Sequence, residues 1–133
     1  MKEPSLVLFV CLHASAKSLI AAEYFNTLAT ERRLPFRAIS AGTEPDRAVP
    51  PHVVAGMKKD GFDVSRRIPE RLTRELAAPA RIAITFEPEL KPYVDPTCRV
   101  ERWAVPAVSD NYDIARDAIR GRVDRLVAGL GDN

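Results

Sequence analysis

A chain of 133 residues with 46% hydrophobic content can bury one core and is too short for two ordinary ones, so residues 1–133 are expected to form a single domain. The net charge is only +2 although 29% of residues are charged. Basic and acidic groups are therefore interspersed, which speaks against a nucleic-acid-binding tail.

The first apolar run, about six residues, falls far short of the roughly 20 that a membrane span needs, and it lacks a signal-peptide cleavage pattern. No membrane is expected as a partner, and the expected location is cytoplasmic. Cys11 and Cys98 are too few for a disulfide scaffold, and a reducing compartment keeps both as thiols. With only His13 and His52 as histidines, no ligand cluster is spelled out, so neither a metal nor another cofactor is expected.

Leu6 to Val10 is a continuous apolar run, the pattern of a strand buried on both faces. It leads into Cys11, then five residues, then Lys17 and Ser18. Ser18 to Arg32 reads as a helix in which Leu19, Ala22, Phe25 and Leu28 recur at intervals of three. Phe36 to Ser40 reads as a second strand. A loop punctuated by Gly42, Pro45, Pro50 and Pro51 follows, then a helix from about Pro51 to Asp60 that starts on proline and ends at Gly61. Arg71 to Ala77 reads as a short helix, Ile82 to Phe86 as a third buried strand and Arg99 to Trp103 as a fourth. From Tyr112 to Leu130 the residues Ile114, Ala118, Ile119, Val123, Leu126, Val127 and Leu130 make one apolar helical face.

Strands alternating with helices imply parallel pairing and right-handed crossovers. The expected fold is α/β, a small open four-stranded parallel sheet with helices on both faces. Ligands in such sheets bind at the carboxyl ends of the strands, where Cys11 lies and where the loop Ala104 to Asp113 should also open. A thiol at that point meets backbone amides, the start of a helix and the charge of Lys17, a combination suited to an oxyanion such as phosphate, sulfate or arsenate. A lone cysteine at a strand end also fits an inert buried thiol. His13 either adds partial positive charge near the anion or faces solvent, since no carboxylate neighbour in sequence would orient its ring.

The stretch Val7 to Ser18 resembles the phosphate loop of the low-molecular-weight protein tyrosine phosphatases and of the arsenate reductases that share their fold. Ser40-Ala41-Gly42-Thr43-Glu44-Pro45, Gly61-Phe62-Asp63-Val64-Ser65, Arg71-Leu72-Thr73 and Arg99-Val100-Glu101-Arg102-Trp103-Ala104-Val105-Pro106 look like further landmarks, closest to the arsenate reductase branch. The resemblance implies a flavodoxin-like three-layer sandwich and thiolate attack on a phosphate monoester or arsenate. On it Cys11 matches the nucleophile, and Ser18 matches the hydroxyl that hydrogen-bonds the thiolate. The amides of Leu12, His13, Ala14, Ser15, Ala16, Lys17 and Ser18 would cradle the oxyanion.

Departures from the family pattern fall where catalysis is decided. Lys17 takes the place of an arginine, exchanging a two-pronged contact for a mobile point charge. Ala14 stands where an asparagine often braces the loop and Ala16 where glycine or cysteine is common, so side-chain bracing is expected to be lost. The family's general acid is an aspartate directly after the valine-proline, where this chain has Ala107. Asp110 either replaces that acid or caps the last helix.

Arsenate reduction also needs electrons. The segment Phe86 to Asp95 lacks the two relay cysteines of the thioredoxin-linked type, and Cys98, preceding the fourth strand, should lie too far from Cys11 to bond it. An external partner is expected instead, a small thiol such as glutathione or mycothiol, or a redoxin. The chain is thus expected to be a cysteine-dependent phosphatase or arsenate reductase with impaired turnover. The alternative is a catalytically degenerate oxyanion-binding or protein-interaction member of the same fold.

Overall fold

The computed structural model describes residues 3–131 and orders them as β1 (Ser5–Cys11), α1 (Lys17–Glu31), β2 (Phe36–Gly42), α2 (Pro51–Lys59), α3 (Arg74–Ala77), β3 (Ala80–Thr85), β4 (Arg99–Arg102) and α4 (Tyr112–Gly131). The strands form one sheet in the order β2-β1-β3-β4, and every pairing is parallel. Parallel pairing sends each connection back across the sheet before the next strand begins, so all strands deliver their carboxyl ends to one edge. β1 is paired on both sides and covered on both faces, and Val7 to Val10 are wholly inaccessible. β4 forms an edge and leaves three of its four residues exposed.

Side chains alternate along a strand, so β1 feeds two cores. Val7, Phe9 and Cys11 pack with buried residues of α1, α2 and α4, while Leu8 and Val10 join Ala41, Ala77, Ala83 and Leu90 on the other face. The two covering layers are unequal. Three long helices occupy the first face. The second has only α3 and the segment around Leu90 and Tyr93. α3 is kept in place at its start by Thr73, whose hydroxyl accepts the Leu76 N–H at 3.0 Å. On the first face the rings of Phe9, Phe25, Phe86 and Trp103 pack edge-on or tilted, with centroids 5.7 to 6.0 Å apart. They tie β1 and α1 to the residues that follow β3 and β4.

The α/β arrangement implied by the alternation is the one observed, with shifts at element ends. β2 continues past Ser40 to Gly42, because Ala41 and Gly42 stay in register with Val10 and Cys11. The third helix starts at Arg74 rather than Arg71 because Thr73 is its cap. In α4 the exposed Ile114 is replaced in the core by Ala115, which shares a stripe with Ile119, Val123 and Leu126 at steps of three or four residues. Among the described residues, no helix is long and apolar enough to cross a membrane.

Candidate active site

β1 ends on Cys11 and α1 begins at Lys17, so residues 12–16 turn the chain directly from the central strand into a helix. The residue before the helix is Ala16, and no side chain caps it. The first amides of an α-helix have no partner inside the helix, so here they are left for whatever occupies the turn. Two carbonyls at the start of the same turn are committed: Glu44 N–H donates to Leu12 O at 2.8 Å and Asp46 N–H to His13 O at 3.1 Å. Among the described residues, none accepts from the N–H groups of His13, Ala14, Ser15 or Ala16. Available donors at the positive end of a helix dipole are an arrangement suited to an anion.

The thiol sits at the base of this turn. Cys11 is 4% exposed, and its Sγ lies 3.0 Å from Ser18 Oγ, which is in turn 2.7 Å from Ser40 Oγ. A hydroxyl has one proton to give, so when Ser18 donates to sulfur it accepts from Ser40. The contact that the resemblance implies for Ser18 is therefore present. Ser40, at the carboxyl end of β2, adds a second hydroxyl behind it.

The loop is braced, contrary to the expectation drawn from Ala14 and Ala16. The brace comes from the segment after β2. In addition to the two backbone bonds, Ser15 Oγ donates to Asp46 Oδ2 at 2.6 Å. His13 Nδ1 lies 2.8 Å from Glu44 O and 3.8 Å from Asp46 Oδ1. His13 faces solvent, with its side chain 52% exposed, yet Asp46, remote in sequence, stands beside the ring and supplies the carboxylate that its sequence neighbours lack. A carbonyl oxygen only accepts, so Nδ1 carries the hydrogen and Nε2 is the uncommitted nitrogen.

A cleft of about 270 Å³ opens above the loop, room for an oxyanion and a modest substituent but below the usual range for drug-sized ligands. Cys11, Leu12, His13, Ser15, Ala16 and Lys17 form one side. Asp46 and Pro50 come from the region between β2 and α2, His52 and Val53 from the first turn of α2, Glu87 follows β3, and Ala107, Val108 and Ser109 follow β4. The loop Ala104 to Asp113 thus reaches the expected edge. Lys17 takes part in no ion pair among the described residues.

Asp110 does not join this group. It is exposed and outside the cleft lining. It is not the helix cap either, because Asn111 Oδ1 accepts the Ile114 N–H at 3.1 Å. Asp110 N–H turns back to Ala107 O at 3.2 Å, next to Ser109, which does line the cleft. The cap expectation for Asp110 is corrected.

Cys98 packs with the opposite core from Cys11, and both are free thiols. Burial, with a smaller contribution from Asp95, holds the Cys98 thiol above its ordinary pKa. Among the described residues, no group of three or more His, Cys, Asp or Glu side chains is placed to hold a metal ion.

Asp46, His52 and Glu87 were not singled out from the sequence. The signal was available, since a parallel sheet brings the loops after β2 and β3 to the same edge as the loop after β1.

A parallel α/β sheet whose central strand delivers a thiol into an anion-receptive turn defines the class of cysteine-bearing phosphate-loop folds. The chain belongs to the low molecular weight phosphotyrosine protein phosphatase family, whose model matches residues 6–119. It is similar in structure to a thioredoxin-dependent arsenate reductase from Corynebacterium glutamicum, with a TM-score of 0.83 and 22% identity over 97% of this chain. The match spans 63% of that chain's own length. A low molecular weight protein tyrosine phosphatase from T. tengcongensis matches with a TM-score of 0.81 and 20% identity, covering 93% of this chain and 98% of the other. An arsenate reductase from Archaeoglobus fulgidus matches with a TM-score of 0.71 and 27% identity, covering 92% of this chain and 98% of the other. No curated protein matches the chain in sequence.

Proposed function

We propose that the cleft binds a tetrahedral oxyanion, phosphate, sulfate or arsenate, on the amides of residues 12–18, and that Cys11 attacks a phosphate monoester or arsenate held there. The observation that carries this reading is the Cys11 Sγ, 3.0 Å from Ser18 Oγ, beside N–H groups that no protein acceptor uses. Ser18 steadies the negative charge on sulfur and Lys17 offsets that of the anion. Residues 1–133 act in this reading as one low-molecular-weight phosphatase-like domain. Lys17 supplies a single mobile charge where a guanidinium would grip two oxygens at once, so turnover is slower than an arginine would give. For arsenate the electrons come from outside the chain, through a small thiol or a redoxin. The Corynebacterium glutamicum neighbour is a thioredoxin-dependent arsenate reductase, which makes a redoxin worth assaying beside glutathione or mycothiol.

Binding without turnover is the second reading, favoured by Ala107 and by the position of Asp110 outside the cleft. Labelling and assay separate the two. Phosphate is expected to protect Cys11 from iodoacetate under either; equal labelling with and without it would overturn both. A paired assay of aryl-phosphate hydrolysis and thiol-dependent arsenate reduction, with Cys11→Ser as control, then decides between them. Lys17→Arg is expected to raise the active rate by about 10-fold to 100-fold, the value of one better charged hydrogen bond. An inert pocket would show no gain.

A further inference from the structure

We propose that His13 is the residue that moves the proton in this cleft, with Asp46 as its positioning residue. The inference rests on the reading of Cys11 as a nucleophile toward a phosphate ester. The departing oxygen of such an ester needs a proton, and the segment after β4 contributes only Ala107, Val108 and Ser109 to the lining. The proton must come from another wall.

Five titratable groups other than Cys11 line the cleft: His13, Lys17, Asp46, His52 and Glu87. Lys17 is the counter-charge of the anion. Asp46 already accepts the Ser15 hydroxyl at 2.6 Å. His13, His52 and Glu87 are all exposed, but among the described residues the His52 and Glu87 side chains have no hydrogen bond that fixes their direction. His13 alone combines a place in the anion loop, two residues from Cys11, with a ring held at a known nitrogen. Nδ1 donates to Glu44 O at 2.8 Å, which assigns proton exchange to Nε2. Asp46 Oδ1, 3.8 Å from Nδ1, stands beside the same nitrogen and helps to hold the ring's orientation. An imidazole is also the side chain best matched to giving and taking a proton near neutrality.

The step balances without an electron donor. The Cys11 sulfur forms a bond to phosphorus as the ester P–O bond breaks, and the departing oxygen takes the proton from Nε2. The neutral ring then accepts a proton from the water that attacks phosphorus. The S–P bond breaks, the electron pair returns to sulfur and phosphate leaves.

The test compares leaving groups on the full chain. Phenyl phosphate, with a poor leaving group, depends on protonation; p-nitrophenyl phosphate, with a good one, depends on it little. His13→Gln is expected to lose about 100-fold or more in kcat/KM on phenyl phosphate and less than about tenfold on p-nitrophenyl phosphate. Asp46→Asn is expected to show the same selectivity with a smaller loss, and it carries the test if His13→Gln does not fold. Equal losses on both esters, as a purely bracing role would give, overturn the proposal, and so does no loss on either. If the wild type hydrolyses neither ester yet phosphate protects Cys11, the proposal fails and oxyanion binding stands. If phosphate fails to protect Cys11 as well, the underlying reading of the thiol has failed.

Discussion

Gly42 is the point where β2 comes closest to the anion loop. A methyl group there would lie 2.6 Å from Leu12 O and 2.8 Å from Ala14 N. The strand cannot recede, because Gly42 N–H donates to Glu70 O and its carbonyl accepts from Leu72 N–H, at 2.9 and 2.8 Å. Gly42→Ala therefore has to displace the loop, and it is expected to cost about 1–3 kcal/mol. Denaturant unfolding reads that cost, and weaker phosphate protection of Cys11 should accompany it. Unchanged stability would show that the loop yields freely. Ala14 already holds φ +56°, a left-handed conformation uncommon for a side-chain-bearing residue. At this scale Cys11, Lys17 and Ser18 were legible because their spacing is local. The partners of His13 were not, since Glu44 and Asp46 reach it only through the β1–β2 pairing.

The seam between α2 and α4 shows how an element is fixed by a few contacts. Gly56 in α2 lies under the ring of Tyr112 in α4, and an added Cβ would sit 2.6 to 2.7 Å from three ring carbons. Alanine is the better helix former by roughly 0.5–1 kcal/mol, yet the overlap outweighs that gain. Gly56→Ala is expected to destabilise by about 1–2 kcal/mol net, measured as a shift in the denaturation midpoint. A stabilised variant would show that Tyr112 swings away at little cost.

The Tyr112 hydroxyl donates to Asp60 Oδ2 at 3.0 Å, and Arg116 Nη1 donates to Asp60 Oδ1 at 3.0 Å. Burial, then the bond to Asp60, raises the Tyr112 pKa above its ordinary value of 10.0. A group whose folded pKa is raised contributes stability that is present below the unfolded pKa and is lost as pH rises through the folded one. Wild-type stability should therefore fall more steeply than that of Tyr112→Phe from about pH 10 upward. Parallel alkaline profiles in chemical denaturation would count against this role. The long helix α4 was legible from its apolar period. Its face was read as observed at Ile119, Val123, Leu126 and Val127, and one position off only in the first turn, at Ile114 instead of Ala115, because both residues are apolar and only the docked helix distinguishes them.

Strands and helices alternate over much of the chain, which is why its parallel sheet was readable before any coordinates, although no helix separates β3 from β4. The unequal covering layers were not. Residues 86–98 bury Leu90 and help cover the second face without a regular helix, so they leave no periodic trace in the sequence. The site is legible to the same degree: its thiol and turn lie in one continuous stretch, whereas its remaining walls come from the ends of three other strands.

The contacts that shape the anion turn have a consequence in time. Cys11, Ser18 and Ser40, the ties from residues 12–15 to Glu44 and Asp46, and the hold of Glu70 and Leu72 on Gly42 are all closed within the first 72 residues. During synthesis these residues emerge before β3, β4 and α4, and chain segments near in sequence meet soonest. The shape of the turn is thus written by the earlier half of the chain. The later half adds two strands, a docking helix and the wall of the cleft formed by Glu87 and residues 107–109.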